Sequence, residues 1–240
     1  MAPLSRRSFF KTSALAAALP LGVSAAQAAA APPAPGSVDL SWLEGRPALV
    51  TGTTFGVPWP RGALRKDQTF VLSGDGGELP CQSWPLAYWP DGSLKWTAHA
   101  LPAVDTAPER LRLRPGRSNA KPPRQLAIKE GLEAIVIDTG VIECTIPRQG
   151  ADIVRSIRRG GRDIARAGKL VALSDDSPDG STRQTAYESQ LQRVTLEQRG
   201  PVRSVVKVEG MHRAQGGGRS WLPFTLRLRS PVSVSLAAGR

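Results

Sequence analysis

Glycine and proline punctuate this chain so densely that long helices have no room in it. There are 24 glycines and 21 prolines, together 45 of 240 residues. Proline lacks an amide donor and clashes with the preceding helical turn, and glycine costs a helix interior about 1 kcal/mol relative to alanine. Beyond Val38 the chain is cut into short segments with almost no 3.6-residue period. The predicted fold class is all-β.

The clearest hairpin runs from Trp84 to Leu101. Asp91-Gly92 supplies the positive φ angles that tight hairpin turns require. In its second strand Leu94, Trp96, Ala98 and Ala100 alternate with Lys95, Thr97 and His99, which predicts one core face and one wet face. Trp84 and Trp96 are expected to pair across this hairpin and fill the core. Gly74-Asp75-Gly76-Gly77 marks a second turn and Arg110–Arg114 another alternating strand. Further on, Leu132–Ile137 and Val141–Ile146 join across Asp138-Thr139-Gly140, and Ile153–Arg158 and Asp163–Arg166 flank Gly160-Gly161. Val202–Val208 and Pro223–Leu228 are longer runs. Ser174–Ser181 is a polar loop.

The first residues specify where the protein works. Arg6, Arg7, Phe9 and Lys11 form a twin-arginine export pattern. An uncharged, alanine-rich stretch follows, and Ala26-Gln27-Ala28 fits a small-x-small cleavage site ending at Ala28. Pro20 and the alanine content leave the stretch short of the roughly 20 strongly apolar residues of a bilayer span, so no stable membrane anchor is expected after cleavage. The organisation read from the sequence is a signal peptide over 1–28, a Pro/Ala linker over 29–41, β-rich segments over 42–116 and 126–240, and a second linker over 117–125. The location expected is periplasmic or secreted, with the twin-arginine translocase as a transient partner.

Charge bears on the partners. The chain has 32 Lys+Arg and 20 Asp+Glu; removing Arg6, Arg7 and Lys11 leaves 29 minus 20, or +9. A basic surface concentrates anionic partners. The charges are scattered, without the patterned face or aromatic motif of a nucleic-acid binder, so nucleic acid is not expected. Cys81 and Cys144 are read as two free thiols, since twin-arginine substrates fold before export. No metal and no cofactor is expected: the histidines, His99 and His212, are far apart, and Asp175, Asp176 and Asp179 fit no calcium loop.

Three stretches, taken in order, carry a resemblance: Thr54–Leu64, with its Gly56-Val57-Pro58-Trp59-Pro60-Arg61-Gly62 run; Trp84–Trp96, with Trp89-Pro90-Asp91-Gly92-Ser93-Leu94-Lys95-Trp96; and Asp138–Cys144. Together they resemble the exo-rhamnogalacturonan lyase family and the related YetA-like bacterial proteins. The resemblance implies a small RIFT-type β-barrel over 42–116, then the start of a β-sandwich over 126–240. Family members carry an α/α toroid after the sandwich; this sequence has no succession of amphipathic helices, and no catalytic residue is carried over. The function expected is therefore an exported, non-catalytic β-region of a rhamnogalacturonan-lyase-like protein that contacts or positions acidic polysaccharide. The alternatives are a stand-alone periplasmic glycan-binding module and a truncated remnant without activity of its own.

Sugar rings pack their C–H faces on indoles, and basic side chains attract uronate carboxylates. Trp59 and Trp89, each beside a proline in a loop, with Arg61 and Lys95, form the candidate carbohydrate-binding set. Lys95 and His99, on one strand face, with Arg61 after the Pro-Trp-Pro loop, offer a base and a cation for proton abstraction; a solvated strand face accounts for them more simply.

Overall fold

The computed structural model describes residues 36–104, 106–122, 124–175, 184–215 and 218–231. The export segment, Ala28, Asp176, Asp179 and residues 232–240 lie outside the described residues. Every regular element among the described residues is a strand, as the glycine and proline density requires.

Seven strands form the first half. One sheet has the order β1-β7-β3-β4, from β1 (Val38–Leu40), β3 (Phe70–Gly74), β4 (Gly77–Leu79) and β7 (Leu111–Pro115); the other has the order β2-β6-β5, from β2 (Thr53–Pro58), β5 (Gln82–Tyr88) and β6 (Leu94–Leu101). Between them lies a core containing Trp59, Phe70, Leu72, Leu94, Leu101 and Leu113. Leucines buried this completely each contribute roughly 1.5–3 kcal/mol. The linker predicted over 29–41 ends early. Val38 and Leu40 pack against this core while Asp39 faces Arg112 across the β1–β7 ladder, its carboxylate 2.6 Å from the guanidinium Nε.

The second half is a two-sheet sandwich. β8 (Ala127–Glu130), β9 (Ala134–Asp138), β10 (Ile142–Pro147), β11 (Val154–Arg159) and β12 (Arg162–Gly168) form one sheet in the order β12-β11-β10-β9-β8. β13 (Val171–Asp175), β14 (Gln184–Gln198), β15 (Arg203–Ala214) and β16 (Ser220–Pro231) follow in sequence order in the other. Ile135, Ile137, Ile146, Val206 and Val208 are completely buried between them. Gly160 and Gly161 both take positive φ at the β11–β12 turn, 55° and 77°, the left-handed pair a two-residue hairpin needs.

The two halves belong to one compact unit and touch at a defined seam. Gln82 of β5 accepts hydrogen bonds at its Oε1 from the backbone amides of Val202 and Arg203, at 3.1 and 2.9 Å. Gly200 allows this approach, because a Cβ there would collide with the Gln82 carboxamide.

The faces of β6 follow the prediction only in part: Leu94, Ala98 and Ala100 are buried as expected, but most of the face predicted to be wet is buried too. Thr97 and His99 point inward and are 1% and 0% exposed, whereas Trp96 points outward and is 40% exposed. The ladder explains it. Thr97 lies opposite Val57 and His99 opposite Phe55, both turned to the barrel interior. Trp84 and Trp96 do not pair: Trp84 lies opposite Ala98 and Trp96 opposite Ala87, after register shifts at Pro85/Ala87 and Ala87/Tyr88. Trp96 instead lies against Gly56, where even an added Cβ would meet the indole only at ordinary contact distance, 3.6 Å.

Buried polar groups on β6 satisfy one another. The Trp59 indole N–H donates to Thr97 Oγ1 at 2.8 Å, Thr97 Oγ1 lies 2.7 Å from His99 Nε2, and His99 Nδ1 lies 2.8 Å from Ser83 Oγ. Burial lowers the His99 pKa to about 4. The unfolded chain then binds a proton that the folded chain refuses, so stability falls as pH drops from about 6.5 towards 4. Between pH 7.5 and 5 this group alone is expected to remove about 2 kcal/mol. Urea midpoints at the two pH values measure the loss, and His99→Gln should shrink it; an unchanged pH dependence in that variant would refute the assignment.

Cys81 and Cys144 are free thiols. One packs against the barrel core and the other against the sandwich core. Burial pushes the Cys81 thiol up to about 11 and raises that of Cys144.

Candidate functional site

The loop after β2 and the turn between β5 and β6 are knitted together, so three of the four sequence-predicted binding residues share one surface. Trp59 N–H donates to the Lys95 carbonyl at 2.9 Å, extending the β2–β6 ladder into the loop. Trp89 N–H donates to the Ser93 carbonyl at 2.8 Å, and Gly92 N–H to the Trp89 carbonyl at 2.9 Å. Gly92 has φ 81°, which an L side chain adopts only at a cost.

Asp91 organises this surface. Its Oδ1 accepts from the Ser93 amide at 3.0 Å and the Ser93 hydroxyl at 2.6 Å, and its Oδ2 accepts from Arg61 Nε at 3.0 Å. Ser93 Oγ in turn accepts from the Gly62 amide at 2.9 Å. The Ser93 hydroxyl and amide, then Arg61, hold the Asp91 carboxyl down to about 2. A carboxylate ionised that firmly is a strut for the turn and does not suit proton transfer near neutral pH.

Trp89 is half-buried. Its indole N–H donates to the Trp59 carbonyl at 3.0 Å, and the Lys95 ammonium sits 4.6 Å from its ring centroid. The cation is held on the indole by the ring's negative face. The surface thus carries an ammonium held on an aromatic ring and the Arg61 guanidinium, whose side chain is 63% exposed, paired with the ionised Asp91. Such a surface suits a sugar bearing a negative charge.

Trp59 does not join it. The indole is 4% exposed, stacks on Phe70 with ring centroids 5.4 Å apart and gives its N–H to Thr97. The neighbouring prolines suggested an open loop; the loop is folded over the barrel mouth with this side chain inside. His99 is also sealed in, with both ring nitrogens engaged, so the base-and-cation pairing with Lys95 does not form. Lys95 and His99 share a strand but not an environment.

Sequence reasoning passed over a second concentration of charge and aromatic surface. Trp84 of β5 stands beside Arg203 of β15, and the guanidinium carbon is 4.9 Å from the indole centroid. No local signal joins residues so far apart in the chain.

A family model described as the PcRGLX-like N-terminal RIFT barrel domain matches residues 36–116, and one described as the PcRGLX-like protein central beta sandwich domain matches residues 126–234. The Uncharacterized protein YetA of Bacillus subtilis (strain 168) is 36% identical over 201 residues, which cover 82% of this chain and 23% of YetA. The chain spans about a quarter of the length of the curated relative it matches.

Proposed function

The chain belongs to the PcRGLX-like family, a RIFT barrel followed by a central β-sandwich, and on that premise we propose that it is the exported, non-catalytic β-region of a rhamnogalacturonan-lyase-like protein, where it contacts or positions acidic polysaccharide. The observation that carries the reading is the Lys95 ammonium seated on the half-buried Trp89 indole, beside the exposed Arg61. An indole and a fixed cation at one surface match a pyranose ring and its carboxylate. The non-catalytic part is supported by the sealing of His99 and the low pKa of Asp91, which leave neither available as a base near neutral pH. Export rests on Arg6, Arg7, Phe9 and Lys11 and is checked by fractionating cells that express the chain.

Affinity electrophoresis tests the contact. The purified chain should be retarded by pectic polymer and less so by a neutral galactan, and a Trp89→Ala/Lys95→Ala chain should lose most of the retardation. The same preparation should give no rise in double-bond absorbance with pectic substrate. Equal mobility of parent and double variant refutes the surface, and a measurable rate refutes the non-catalytic role.

A further inference from the structure

The seam between barrel and sandwich encloses a cleft of about 390 Å³, walled on the barrel side by Trp84 and on the sandwich side by Glu197, Arg203, Val205, Arg227 and Arg229. The β15–β16 ladder puts the basic residues there. Val205 lies opposite Arg229 and Lys207 opposite Arg227, while Val206, Leu226 and Leu228 belong to the other face and the sandwich core. Three guanidiniums against one carboxylate leave the cleft at 3 minus 1, or +2.

The three guanidiniums are not equivalent. Arg227 is neutralised by Glu197 through two hydrogen bonds, at 2.7 and 3.0 Å. Arg203 lies over the Trp84 ring, and its Nε is buried without a hydrogen-bond partner among the described residues. Arg229 is exposed and has no carboxylate within salt-bridge distance among the described residues. Burial, and then the charge of Arg229, lower the Arg203 pKa. Two like charges facing one cleft repel each other, and a bound anion would offset that repulsion. The site is also held ready. Gln82 fixes the Arg203 backbone to the barrel at 2.9 Å, and the missing side chain of Gly200 lets it do so.

We infer that this cleft binds the carboxylate of a uronate sugar, with Arg203 and Arg229 as its donors and Trp84 as an apolar wall for the ring. The planar guanidinium fork matches carboxylate geometry. The choice of a uronate over another carboxylate rests on the acidic-polysaccharide reading above; the anion site itself stands on the seam alone.

Isothermal titration of the full chain with D-galacturonate and with D-galactose tests it. Galacturonate should bind and galactose should not, and added salt should weaken the interaction. Arg229→Gln, at an exposed position, should leave the melting temperature unchanged and lower galacturonate affinity roughly tenfold or more. Arg203→Lys, which keeps the charge but not the fork, should also weaken binding, and Arg162→Gln, at an exposed position outside both surfaces, should not. The inference is overturned if galacturonate fails to bind, if galactose binds equally, or if Arg229→Gln binds as the parent does. Failure here with polymer retardation still dependent on Trp89 and Lys95 sinks this site alone. Intact galacturonate binding without that dependence sinks the other surface alone.

Discussion

Trp59→Ala is expected to destabilise the barrel by about 3–5 kcal/mol, the range for removing a large aromatic side chain from a packed core. The indole is 4% exposed, packs face to face on Phe70 at an interplanar angle of 23°, and gives its N–H to Thr97 Oγ1. Truncation removes the stack and leaves Thr97 with His99 as its remaining side-chain partner. Trp59→Phe separates the contributions: it keeps an aromatic ring on Phe70 and loses only the donor, for about 1 kcal/mol. Urea unfolding followed by far-ultraviolet circular dichroism should place the alanine variant's midpoint far below the parent's and the phenylalanine variant's between them. An alanine variant with the parent's midpoint would return Trp59 to the surface and to the sugar-binding set.

That tryptophan also shows where the sequence stops being legible. Turns were readable, because Asp91-Gly92, Thr139-Gly140 and Gly160-Gly161 each need backbone angles that few residues accept, and strands flank all three. On β7, Leu111 and Leu113 are buried while Arg112 and Arg114 are exposed, as simple alternation predicts. β6 defeats the same rule. Polar Thr97 and His99 face the core because Trp59 and Ser83 satisfy them, and those partners come from other strands and loops. β14, the longest strand at 15 residues, carried no recognisable pattern because register shifts at Leu191/Arg193 and Leu196/Gln198 break its period of two. Trp89 and Lys95 were readable as members of one hairpin, but the contact between them and the pairing of Arg61 with Asp91 appear only in the fold. The seam was not legible: Gln82 and Arg203 are 121 residues apart, and only the docked halves bring them together.

The sandwich has its own point of greatest sensitivity, and there the residue that matters has no side chain. Gly210 lies on β15 opposite Leu191 of β14 and Phe224 of β16. A Cβ at this position would fall inside van der Waals contact of both the Gln190 carbonyl oxygen and the edge of the Phe224 ring. The ring has little freedom to withdraw, because it packs edge-on against His212 at 5.3 Å and belongs to the sandwich core. The carbonyl is backbone and moves only if β14 separates from β15. Gly210→Ala is therefore expected to cost on the order of 3 kcal/mol, at the upper end of overpacking penalties, since one methyl forces apart both neighbours of a central strand. Adding Phe224→Leu should recover only part of the loss, because the clash with Gln190 remains. Stability curves for the parent, the single variant and the double variant resolve the two contributions. Full recovery in the double variant would assign the whole effect to the ring, and a stable single variant would mean that β14 and β15 are not paired in the register Leu191 to Gly210.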